Sequence, residues 1–228
     1  MAFTFIAAAG NVNAASGTTL DATASLNVAA GDLLVCWISN ETSLGTYSCA
    51  SVSGAPANAF TFDVGDTISN NVFGQSGYLL SAAVDAAATF RATWAAARDI
   101  RKFIVMQFRP TAGSTVSKDT SNDNTGLGTA STSGNITTTG TDEVVVGYSD
   151  LFNSGSTTVE QINGVAADGV SRQAPASMWY RILSATFAAG GASCTQAISD
   201  SWTCGIMAFT AAGAAAAPAQ ISNTILLL

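Results

Sequence analysis

Apolar residues along this chain recur in short runs, and no long stripe of helical period is present. Asp32-Leu-Leu-Val-Cys-Trp-Ile38, Phe103-Ile-Val-Met-Gln-Phe108 and Glu143-Val-Val-Val-Gly-Tyr148 are β-branched or aromatic and bounded by Gly, Asn, Asp, Ser or Thr clusters. Each predicts a strand. In Phe90-Arg-Ala-Thr-Trp94 apolar and polar residues alternate strictly, as a half-buried strand requires. The Ala-rich pieces 82–88 and 95–97 have helical propensity but no amphipathic face. An all-β fold with one or two short helical turns follows.

The pattern also repeats. Tyr78 to Phe108 matches Trp179 to Phe209 at a constant offset of 101, and Gly31 to Ser39 matches Thr141 to Ser149 at an offset of 110. The informative pairs are Asp32/Asp142, Asp99/Asp200, Met106/Met207 and Phe108/Phe209, so residues 20–110 and 130–210 form two internally similar halves. Either two small sandwiches sit in tandem, or two strand sets interleave in one. The junction Thr111 to Gly140 is long, polar and free of proline, which suits a surface crossover. The expectation is therefore a single β-sandwich over residues 1–210, followed by a distinct segment, 211–228.

That last segment is an Ala-rich spacer followed by Gln220-Ile-Ser-Asn-Thr-Ile-Leu-Leu-Leu228. Apolar residues Ile221, Ile225, Leu226, Leu227 and Leu228 on a spacer predict a C-terminal arm that docks on a neighbouring subunit or another protein by strand addition, the alternative being a final edge strand of its own sandwich.

Composition narrows the function classes. The chain has 228 residues, 8 Lys plus Arg against 15 Asp plus Glu, net charge −7, and no histidine. An acidic chain is ill suited to nucleic acid. The missing histidine removes the usual general base and zinc ligand. Neither Lys102 nor Lys118 lies in a Ser-x-x-Lys motif, and no spacing singles out a carboxylate pair, so no enzyme, no cofactor and no metal are expected. Asp119 to Gly126 echoes an oxygen-rich calcium loop. It lacks the sharp-turn glycine and the closing glutamate, and reads as a polar loop with Asx turns. Charged residues make up 10%, against about 25% in ordinary domains, which points to a surface packed against neighbours or working outside the cell. The first basic residue is Arg91 and no run of about 18 apolar residues occurs, so neither a signal peptide nor a membrane span is expected. Synthesis in the cytoplasm follows.

Four cysteines remain, Cys36, Cys49, Cys194 and Cys204. Cys194 and Cys204 flank Ser199 symmetrically and predict a hairpin that a disulfide could close, whereas Cys36 suits a buried thiol. Of the tryptophans, Trp37, Trp94 and Trp179 fit core positions and Trp202 is the candidate sugar platform. Five basic residues fall between Arg91 and Arg109, and Arg98, Arg101 and Lys102 are candidates for ion pairs across a protein interface.

The runs Leu26 to Val35, Val52 to Phe62, Ala88 to Trp94 and Phe103 to Phe108 look like a β-sandwich module of tailed-phage virion proteins and some bacterial surface proteins. The resemblance covers roughly residues 20–210. It implies a jelly-roll-like sandwich in a capsid decoration, cement or tail-associated protein, expected as a homotrimer in the virion. Its partner would be the major capsid protein or another virion protein, with no nucleic acid and no membrane. A carbohydrate-binding or tail-fibre adhesion module is the alternative.

Overall fold

Runs of consecutive buried residues set the architecture, the longest being residues 200–209. Three others, in chain order, are β4 (Leu33–Asn40), the first eight residues of β11 (Arg101–Pro110) and β13 (Glu143–Leu151), each covered on both faces. A strand buried on both faces reads as a continuous apolar run, which is why these were legible. The computed structural model describes residues 2–41, 46–52, 58–63, 67–69, 72–152 and 155–213. It contains no helix among them, so the Ala-rich pieces are strand or irregular chain and the expected helical turns are not seen.

The first half supplies β1 (Phe3–Asn13), β2 (Gly17–Asp21), β3 (Leu26–Val28), β4, β5 (Tyr47–Ser51), β6 (Thr61–Phe62), β7 (Thr67–Ser69), β8 (Val72–Leu79), β9 (Asp85–Ala88), β10 (Phe90–Arg98) and β11. Its inner sheet runs β1-β11-β4-β8, with β6 and β7 on β8, and its outer layer is β2-β10-β5 with the β3-β9 ribbon. Leu34, Cys36, Ile38, Phe103 and Val105 of the inner sheet pack on Leu20, Cys49, Phe90 and Trp94 of the outer layer.

The second half supplies β12 (Thr115–Thr132), β13, β14 (Thr158–Ile162), β15 (Val165–Ala166), β16 (Gly169–Gln173), β17 (Ala176–Leu183) and β18 (Ala192–Ala212). One sheet contains them all, with β12-β18-β13-β17-β16 forming its inner part. Register shifts in β12 and β18 between the pairs Gly128↔Asp200 and Ala130↔Thr195 fold this sheet over. Residues 130–132, 192–195 and β14-β15 then cover its outer face, closing a second core around Val145, Ile206, Ile162 and Cys194.

The two inner sheets pack against each other through a third core, which holds Leu33, Val35, Trp37, Met106 and Phe108 against Val144, Val146, Tyr148, Met207 and Phe209. Trp37 stacks on Tyr148 at 4.5 Å, and Ser76 Oγ donates to Tyr148 Oη at 3.1 Å. Gly205 makes room for that tyrosine, since a Cβ there would lie 2.2 Å from Tyr148 Cζ. The all-β sandwich expectation holds, but the strands of the two halves do not interleave. Each half builds its own sheets, and the halves sit in tandem, joined by a shared apolar core.

The ladders correct the offset of the repeat. Phe108 and Met106 face Leu33 and Val35, while Phe209 and Met207 face Val144 and Val146. The offset is 101 for β11 and β18 (209 − 108), but 111 for β4 and β13 (144 − 33). Likewise Tyr78 and Tyr180 oppose Val35 and Val146, an offset of 102. Side chains alternate along a strand, so the one-residue difference decides which face each occupies. Val146, not Val145, matches Val35.

Candidate functional site

The polar groups buried inside this fold are the places to look for chemistry. Lys102, fully buried on β11, donates to Glu41 Oε1, to Asp150 Oδ1 at 2.9 Å and Oδ2 at 3.2 Å, and to Leu151 O at 3.3 Å. It joins the first half to the second, because Asp150 lies on β13. Burial pushes the Glu41 carboxyl up, and the Lys102 ammonium only partly offsets it. Lys102 is thus an internal tie and not the surface cation expected. Arg101 is also internal, donating to Ala15 O at 2.8 Å and to Thr19 O, with its guanidinium 5.8 Å from the Trp94 ring centre. Arg98 is half-buried at the end of β10 and donates to Ala97 O at 3.0 Å. The basic cluster of the sequence is therefore dispersed, because successive residues of a strand point to opposite faces.

At the start of β4, fully buried Asp32 takes bonds from Ala29 N (2.8 Å), Gln107 Nε2 (2.6 Å), Arg109 Nε (2.8 Å) and Arg109 Nη2 (2.9 Å). Burial opposes its charge, but these donors outweigh it and hold the carboxyl below the usual range. The matching residue of the second half is Glu143, one step before the apolar run of β13. The same main-chain bond closes on it: Gly140 N donates to Glu143 Oε1 at 2.7 Å, three residues back as in Ala29 and Asp32. Burial pushes this carboxyl up to about 7, the Gly140 bond opposes that, and the Asp119 carboxyl, within hydrogen-bond reach, adds to it. Asp119 is the unpaired residue of a bulge in β12, between the pairs Lys118↔Phe209 and Thr120↔Ala208. It accepts Thr139 N and Thr139 Oγ1, both at 2.7 Å. The sequence matched Asp32 to Asp142, so Glu143 escaped notice. The strand β12 replaces the polar loop expected over Asp119 to Gly126.

The remaining sequence candidates divide clearly. Ile221, Ile225, Leu226, Leu227 and Leu228 lie outside the described residues. The hairpin about Ser199 is not formed: Cys194 and Cys204 both belong to β18, and all four cysteines are buried free thiols. Residues 200–212 are paired with β12 on one side, and 202–210 of them with β13 on the other, so the chain bulges at 196–199 instead of turning back. Burial pushes the Cys194 thiol up to about 11. Trp202 is buried in the second core with Cys204 and Ile206, which removes the sugar platform. Trp37, Trp94 and Trp179 are core residues as expected.

Among the described residues, clefts have volumes from about 160 to 290 Å³, below the roughly 300–1,000 Å³ of small-molecule sites. No group of three or more His, Cys, Asp or Glu side chains converges among the described residues. The surface offers more. Leu127 on β12 (69% exposed), Val159 on β14 (62%), Ile198 in the β18 bulge and Val165 on β15 are exposed on four adjacent strands of the second half. What the fold and these groups define is an all-β sandwich protein with internal polar ties and exposed aliphatic residues on β12, β14, β15 and β18. No protein-family model matches the chain, and neither a curated protein nor a solved structure does.

Proposed function

We propose that this protein is a non-enzymatic structural component of a virion, a decoration or cement protein that binds the outer capsid surface and stabilises the shell. The observation that carries the reading is the outer face of the second half, where Leu127, Val159, Val165 and Ile198 project on adjacent strands. Exposed aliphatic side chains gathered on one sheet mark a protein-binding surface. Strand order supports it too. We read β1-β11-β4-β8 over β2-β10-β5 as a jelly-roll order, with β12-β18-β13-β17 under 130–132, 192–195, β14 and β15 as its counterpart in the second half. A ligand that binds only the assembled lattice stabilises it by mass action. The partner is the major capsid protein or another virion protein, and the binding unit a homotrimer.

Co-sedimentation with purified capsids, followed by imaging of the added density, tests the reading. Two variants locate the contact, Leu127→Asp/Val159→Asp on the outer face and a chain ending at Gly213, which keeps β18 whole. Loss of capsid binding in either, with the fold retained, supports the proposal. Intact protein that stays in the supernatant at every ratio overturns it.

A further inference from the structure

The tip of the β14-β15 hairpin carries groups that the rest of the fold leaves unused. Ile162↔Val165 is its last pair, so the turn has two residues, Asn163 and Gly164, with φ of 53° and 71°. Two positive values define a type I′ turn, for which Asn-Gly is a preferred sequence. One main-chain bond anchors the tip, from Asn163 N to Gly191 O at 2.8 Å. Both residues are exposed, and among the described residues neither the Asn163 side-chain amide nor Gly164 N has a hydrogen-bond partner.

Asparagine before glycine is a chemically weak point in a chain, and asparagine is a thermolabile residue. Attack of the next main-chain nitrogen on the side-chain carbonyl carbon closes a five-membered imide. A side chain on the following residue obstructs that closure, and so do hydrogen bonds that hold either group. Here Gly164 has no side chain, a Cβ on it would meet nothing within 4 Å, and neither reacting group is held. No other Asn-Gly occurs in the chain.

The surroundings suit the product as well. Arg181 of β17 donates from Nη1 to Ile162 O at 3.2 Å, the carbonyl joined to Asn163 N, and it lines one cleft together with Asn163. Arg91, Arg109 and Arg172 each hold a carboxylate. Arg181 holds none among the described residues, and its Nε is buried without an acceptor. A guanidinium that lacks an anion thus adjoins an amide whose hydrolysis creates one.

We propose that Asn163 is a modification site at which the protein deamidates without an enzyme, and that the Arg181 guanidinium receives the carboxylate formed. Gly164 N gives its proton to hydroxide and attacks Asn163 Cγ, and the new C–N bond displaces ammonia to leave a succinimide. Water then opens either imide carbonyl, giving aspartate or isoaspartate at position 163. In the balance one water enters, one ammonium leaves, and the tip gains one negative charge, the charge that an arginine fork binds best. This inference is independent of the capsid reading and stands or falls alone.

The full chain is kept folded in mildly alkaline buffer for several weeks, beside the same chain unfolded in guanidinium. Peptide mapping locates each gain of one mass unit, and isoaspartyl methyltransferase labelling counts the isoaspartate. The folded protein should convert first at Asn163, an order of magnitude faster than at any other described asparagine. Asn163→Asp supplies the product directly with a residue that tolerates positive φ, and it should melt about 1–3 °C above wild type, the range of one exposed ion pair. That rise should vanish when Arg181→Gln is added. Folded protein that keeps Asn163 intact after the unfolded chain has lost it, or that converts another asparagine first, overturns the modification site. A Tm of Asn163→Asp equal to wild type, or a rise that survives Arg181→Gln, overturns the role of Arg181.

Discussion

Lys102→Met is the sharpest perturbation of the interior. The lysine brings a charge from β11 to Asp150 of β13 and to Glu41, and Lys102 and Asp150 are fully buried. Methionine fills much of the same volume but leaves two carboxylates facing each other with no cation. Breaking a buried pair by removing one partner costs about 3–5 kcal/mol, because the remaining charge is uncompensated. For a chain of this length that is roughly 6–20 °C in Tm. The loss should depend on pH. Burial already holds the Glu41 carboxyl above its ordinary value, and loss of the ammonium raises it further, so protonation favours the folded state and the penalty shrinks as pH falls through the carboxylate range. Guanidinium unfolding at pH 7 and pH 4 measures both numbers. Lys102→Met/Asp150→Leu/Glu41→Gln should recover most of the loss, since replacing a whole buried ionic group by uncharged residues is often neutral. A loss below about 1 kcal/mol, equal at both pH values, would refute the account of Lys102 as the compensating charge.

Other consequences are accessible by similar means. The Asp32 carboxyl is held below its ordinary value, so its stabilisation is full above the unfolded carboxylate pKa and disappears as pH falls through the folded one. Arg109→Leu should flatten that limb of the acid-unfolding curve, and an unchanged limb would exclude Arg109 as its source. Gly205→Ala should cost roughly 1–3 kcal/mol through the clash with Tyr148, with partial recovery in Gly205→Ala/Tyr148→Leu, read from urea midpoints. A thiol reagent should find none of the four buried cysteines in the native protein and all four after unfolding under non-reducing conditions. Two or fewer in the unfolded chain would show that a disulfide exists in solution.

What could be read from the sequence was whatever packing alone decides. Strands β4, β11 and β13 were visible because both of their faces are buried, and Trp37, Trp94 and Trp179 because each sits at an inward position of its strand, β4, β10 and β17 in turn. Strand β12 was hidden, since its Ser, Thr, Asn and Gly residues carry no strand signal. Its conformation is imposed by the long ladder to β18. The repeat was visible, but its register slipped by one because Asp32 was paired with Asp142 by identity, whereas the ladders and the Gly140 bond pair it with Glu143. The Asp119 and Glu143 pair was out of reach for that reason, and because a bulge, which no local pattern announces, swings Asp119 toward the acid. Lys102 and Arg101 look like surface charges in one dimension. Only the meeting of two sheets reveals that neither reaches water.

Strand β18 also has a mechanical meaning. Residues 202–210 are hydrogen-bonded to β13 on one side and to residues 117–126 of β12 on the other, and the chain continues past Gly213 from the end of this doubly held strand. A pull on that continuation runs along the strand axis and loads both ladders in shear, so many bonds must yield together and none can be peeled singly. Any attachment made through the last residues would therefore transmit tension into the centre of the molecule instead of unravelling its edge.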